Sequence, residues 1–128
     1  MPHRPSRARE AARFALAAIR LFNGAAALFA PAALTRRLGA DPDANPAALY
    51  AFRLFGVRTI LLGADLLRRD EAVRADALRS AVVIHASDVV AAAMGGVRGQ
   101  LPPRVSAMTV LISTVNTVLA IVARPGKG

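Results

Sequence analysis

At 128 residues and 13.4 kDa the chain has room for one domain and not for a catalytic unit with a separate binding unit. Hydrophobic residues make up 55% and the mean hydropathy is +0.41, which excludes a disordered chain. The lack of cysteine excludes a disulfide scaffold, a zinc-thiolate finger, a CxxC redox motif and a cysteine nucleophile. Seventeen bases against eight acids give a net charge of +9. The arginines nevertheless stand in clusters between apolar stretches, no helix carries a long basic face, and aromatic residues are too few to stack bases. No nucleic-acid partner is therefore expected.

Residues 2–10, with Pro2, His3, Arg4, Arg7 and Arg9, form a basic leader. An apolar run follows from Phe14 to Ala30, interrupted by Arg20, Asn23 and Gly24 and stopped by Pro31. Ala32–Leu38 predicts a short interfacial helix, with Pro31 in its first turn and Gly39 just after it. Residues 40–46 are a loop by composition, and Asn45-Pro46 reads as an N-cap followed by proline at the first helical position. A second apolar segment covers Ala47–Leu67; Arg68-Arg69-Asp70-Glu71 ends it and opens a charged connection reaching Arg79. The third runs from Ser80 to Val97, with Gly95-Gly96 as its stop. After a turn over Gly99–Pro103, the fourth, Val105–Ala123, carries no charge over 19 residues. No strand alternation and no repeat are visible.

Nineteen helical residues at ~1.5 Å each cover about 28 Å, one hydrocarbon thickness. The pattern predicts an all-α, up-down four-helix transmembrane bundle over residues 1–128. Its spans are expected at about 13–31, 47–68, 79–97 and 104–124, with the short interfacial helix between the first two. Two other readings compete. Arg53, Arg58 and Asp65 inside the second segment each cost about 2.5–3.5 kcal/mol at a helix centre in lipid, which favours a soluble, alanine-rich bundle. A cleaved signal peptide ending at Ala30-Pro31-Ala32 would remove the first segment, although Arg20 and Asn23 interrupt its apolar core.

Two features favour the membrane. Segments two to four are apolar on nearly all sides, whereas soluble bundle helices keep a wide charged face. The bases also sort by side: ten lie in residues 1–13, 68–79 and 124–127, against four (Arg36, Arg37, Arg98 and Arg104) in the opposite connections. That excess predicts a multi-pass protein of a cell inner membrane with both termini cytoplasmic.

The polar residues inside the segments recur at helical steps. Ser106, Thr109, Ser113, Asn116 and Ala120 form one seam, Ala81, His85, Asp88, Ala92 and Gly95 another, and Arg13, Ala17, Arg20, Gly24 and Ala27 a third. In the second segment Gly56 and Gly63 make a close-approach face, while Arg58, Leu62 and Asp65 share a different one. Ionisable groups in lipid mark candidate sites, so Arg20, Asn23, Arg53, Arg58, Asp65, His85, Asp88 and Asn116 are candidate ligand-binding residues. Arg58 and Asp88 each fall near the middle of their segments, which predicts a direct ion pair between them, completed by Asn23 or Asn116. His85 and Asp65 are expected within reach of Arg20. No metal site is expected, since His85 has no second histidine except His3 and no HExxH spacing exists. A triad of Ser87 or Ser113 with His85 and Asp88 lacks a nucleophile elbow, and no catalytic residue or cofactor is assigned.

The stretch Phe52-Arg53-Leu54-Phe55-Gly56-Val57-Arg58-Thr59-Ile60-Leu61-Leu62-Gly63 resembles a recurring second-helix pattern of small bacterial four-helix integral membrane proteins. Those proteins are grouped under domains of unknown function and are DoxX-like in flavour. Arg53, Gly56, Arg58 and Gly63 carry the likeness, and the Pro31–Gly39 turn fits the same layout. The resemblance implies the membrane bundle and no activity. The expected function is binding of a small apolar or anionic ligand in a polar, Arg/Asp-containing core. The alternatives are a structural accessory subunit docking a membrane-protein partner or a second copy of itself, a small membrane isomerase or cyclase, and a soluble helical bundle.

Overall fold

The computed structural model describes residues 6–125; His3 and Arg4 of the basic leader and Lys127 lie outside the described residues. The chain is all-helical: α1 (Arg7–Phe29), α2 (Pro31–Arg37), α3 (Pro46–Asp65), α4 (Glu71–Val97) and α5 (Pro103–Ala123). The four long helices form the up-down bundle, with α2 as the short helix between the first two, and each of the four is long and apolar enough to cross a membrane.

Local chemistry sets the ends. Ser6 Oγ accepts from the Arg9 N–H, so α1 starts inside the basic leader, ahead of the expected span. α2 begins at Pro31, and Gly39 at φ +83° turns the chain out of it. α3 begins at Pro46 as its sequence predicts, but Asn45 does not cap it; the Asn45 amide instead donates to the Asp41 carbonyl. The charged stretch read as a connection from 68 to 79 is mostly helix. Asp70 Oδ1 accepts from the N–H groups of Ala72 and Val73, so α4 starts at Glu71 and only residues 66–70 connect. Between α4 and α5, Gly99 at φ +71° lets Gln100 and Leu101 donate back to the Gly95 carbonyl.

α1 lies at the centre of the packing, running along α3 on one side and α5 on the other, and α4 packs along α5. α3 and α4 are consecutive yet touch little, so the bundle closes in the order α3, α1, α5, α4 and stands open between α3 and α4. The apolar core gathers near the chain ends, where Leu16, Ala17, Leu66, Leu78, Ala81 and Ala120 are buried together. Above it, Arg13 Nη1 donates to the Leu66 carbonyl at 2.6 Å, and Arg74 donates to the carbonyls of Arg68 and Arg69. Two guanidiniums thus satisfy carbonyls freed at the end of α3.

α1 and α3 meet through glycine. A β-carbon on Gly56 would lie 2.6 Å from the Gly24 carbonyl oxygen, and one on Gly24 2.9 Å from that of Gly56. Without side chains the two backbones approach to direct contact, the usual device of helices that associate in lipid. Because the obstacle is backbone, Gly56→Val should push α1 and α3 apart and cost about 3 kcal/mol, at the upper end of overpacking penalties. Thermal unfolding in detergent measures that loss, and Ala107→Val, on the exposed side of α5, should leave the midpoint unchanged.

Candidate functional site: a buried arginine–histidine pair beside an exposed aspartate

The seams of small and polar residues face inward as their spacing predicts: Ala17, Arg20, Gly24 and Ala27 of α1, Ala81, His85, Ala92 and Gly95 of α4, and Ser106, Ser113, Asn116 and Ala120 of α5 are all buried. Alanine and glycine leave room for the larger polar side chains between them. One helical turn beyond the layer of Ala17, Ala81 and Ala120 stand Arg20, His85 and Asn116.

Arg20 is 2% exposed. Its Nε and Nη2 lie 3.2 and 3.0 Å from His85 Nε2, and its Nη1 reaches towards the Leu62 carbonyl at 3.5 Å. A guanidinium offers only donors, so Nε2 must accept and the imidazole carries its proton on Nδ1. That Nδ1 sits 3.5 Å from Asp88 Oδ2, one turn along α4. The three side chains thus form a line from a buried cation through a neutral ring to a carboxylate. The carboxylate offsets the guanidinium's charge through the ring, which a buried cation requires. Two buried atoms of this region, His85 Nδ1 and Asn116 Oδ1, have no hydrogen-bond partner among the described residues.

Asp88 marks where the core opens. It lies on the same face of α4 as Ala81, His85 and Ala92, all buried, yet its own side chain is 50% exposed. An inward-pointing group stays exposed only where the wall is missing, and the wall missing here is the contact between α3 and α4.

The structure corrects the expected pairing. Arg58 does not bond Asp88: Arg53 and Arg58 are exposed on α3, and neither has an ion-pair partner among the described residues. The reason is rotational. Gly56 and Gly63 turn towards α1, and Arg58, five residues before Gly63, lies about 140° round the helix from it. Asp65 makes no ion pair with Arg20; its partner, at 3.9 Å, is Arg68, one turn further along the chain. His85 does reach Arg20. Asn23 is half-buried on α1, and Ser87, the nearer candidate triad hydroxyl, donates to the Val83 carbonyl within its own helix. Sequence spacing alone could not show that Arg20 and not Arg58 is the central cation, although Arg20 is the one arginine flanked at helical steps by Ala17, Gly24 and Ala27.

Comparison with protein families, with curated proteins and with solved structures finds no match to this chain.

Removing His85 leaves the Arg20 guanidinium buried without its acceptor. His85→Leu should destabilise the bundle by about 3 kcal/mol, the upper end of the cost of leaving a buried donor without its acceptor, since this donor is charged. Arg20→Met combined with His85→Leu should cost less than His85→Leu alone, because no charge then remains in the core. Unfolding titrations of the three variants in mixed micelles give the comparison.

Proposed function

We propose that this chain is a four-span protein of a cell inner membrane, with both termini cytoplasmic, that binds a small ligand with a polar head in the core around His85, Asp88 and Asn116. The family likeness carried by Arg53, Gly56, Arg58 and Gly63 suits such a bundle. The orientation rests on the ten bases of the terminal and α3–α4 side against four on the other. The ligand reading rests on one observation: two buried polar atoms without partners among the described residues, His85 Nδ1 and Asn116 Oδ1, belong to the core in which Asp88 stays half exposed. Unpaired polar atoms are costly in a core that excludes water, and a ligand's hydroxyl, carbonyl or acid group arriving through the opening between α3 and α4 would satisfy them. The apolar remainder of such a ligand would lie in lipid or against α3.

The supporting-subunit reading draws on the same residues differently: Arg20 to His85 ties α1 to α4, the two helices not otherwise in extensive contact. Native mass spectrometry of protein released from mild detergent separates the two. Binding predicts a retained small molecule that is lost in Asn116→Leu while helix content and melting are kept. Adducts equal in the natural chain and in Asn116→Leu, or none in either, would exclude the ligand site and leave the structural role.

A further inference from the structure

The outer side of α3 carries a ridge that the bundle does not use. Ala47, Ala51, Leu54, Arg58, Leu61 and Asp65 recur at alternating steps of four and three on the face opposite Gly56 and Gly63, and all are exposed except Asp65, which is partly so. A continuous a/d-type stripe is the pattern of a helix that packs on another helix. On the neighbouring α4 an apolar groove of about 610 Å³ runs past Val83, Ser87, Val90, Ala91 and Met94, open to the outside.

Charge and depth decide what covers this side. α3 meets α1 through Gly24 with Ile60 and Gly63 with Leu21, Arg20 meets His85, and Ser106 of α5 bonds the Ala92 carbonyl of α4. Those registers set Arg58 and Asp88 at one depth to within about a helical turn. Helical side chains lean towards the N-terminus. Arg53, seven residues from Pro46, therefore leans towards the near end of α3 and can reach the interface. Arg58, seven residues from Asp65, leans the long way, into the hydrocarbon. It needs a counter-charge at its own depth, and the chain's exposed carboxylate at that depth is Asp88.

We infer that the open α3–α4 side is the docking surface for a second copy of this chain, in which Arg58 of each copy reaches Asp88 of the other. A half-turn about an axis normal to the membrane preserves depth and lays α3 of one copy along α4 of the next, with the reverse contact across the axis. The ridge then packs along the edge of α4 that carries Asp88 and Ala91, beside the groove, and the two ion pairs are reciprocal. Packing α3 against α3 about the same axis would set Arg58 against Arg58, a like-charge contact, so the axis must lie between the helices. The second copy closes the gap beside Asp88 and supplies a guanidinium to the opening of the polar core. This goes beyond the ligand reading and does not rest on it.

The chain contains no cysteine, so single cysteines report contacts directly. Two differently tagged copies, one Leu54→Cys and one Ala91→Cys, are co-expressed and oxidised in native membranes; Arg58 and Asp88 stay untouched. The expected result is a disulfide joining the two tags in preference to Leu54→Cys with itself. In detergent, light scattering should give the mass of two chains. Arg58→Glu should weaken association at least tenfold, and Arg58→Lys, which keeps the charge, should retain most of it. A natural chain of single mass that forms no cross-link in membranes overturns the inference. So does cross-linking confined to α3 with α3. A melting temperature lowered by Arg58→Glu with no change in mass would assign Arg58 to contacts within one chain and overturn it equally.

Discussion

A guanidinium inside an apolar helix constrains everything near it. Arg20 sits in the middle of α1, the helix that packs on both α3 and α5, and its charge cannot reach water from there. The solution is an acceptor from the opposite helix: the His85 ring takes both nearby N–H groups on Nε2, which fixes its tautomer and aims its remaining N–H at Asp88. The fork requires α4 to approach α1 across the bundle diagonal at that level. The alanines one turn below, Ala17, Ala81 and Ala120, are small enough to permit it.

The same economy of side-chain size holds the remainder together. Helices in lipid gain little from burying Leu against Leu, because the lipid is equally apolar, so close backbone approach and hydrogen bonds decide which pairs form. α1 and α3 meet where glycine faces backbone, and α4 and α5 meet where Ser106 Oγ donates to the Ala92 carbonyl at 2.8 Å. α3 spends both of its buried positions, Gly56 and Gly63, on α1. It has no small-residue face left to offer α4, which is the physical origin of the opening beside Asp88.

Arg20 and Arg58 show how differently the same residue is treated within one chain. Arg20 is enclosed, has an acceptor and is balanced by a carboxylate on the far side of that acceptor's ring. Arg58 stands on an apolar ridge with nothing inside the chain to meet it. A cation at that depth calls for an anion at the same depth, and the exposed carboxylate there is Asp88.

The sequence by itself determined the elements and most of their inward faces. Four long apolar runs bounded by proline, glycine and arginine become four long helices, and the steps of Ser106, Ser113 and Asn116, of Ala81 and His85, and of Gly56 and Gly63 mark faces that are buried. Periodicity can do this because a face depends only on spacing along one helix. It misjudged the stretch before residue 79, where the capping bond of Asp70 turns charged residues into the start of α4. Tertiary structure alone decided which polar groups meet. Depth along the membrane placed Arg58 near Asp88, but an ion pair also needs the right rotation of each helix, and the rotation of α3 is set by the contact of its glycines with α1. Arg20 therefore holds His85, and Asp88 is left half open, because packing between helices, invisible in the spacing of any one of them, chose the partners.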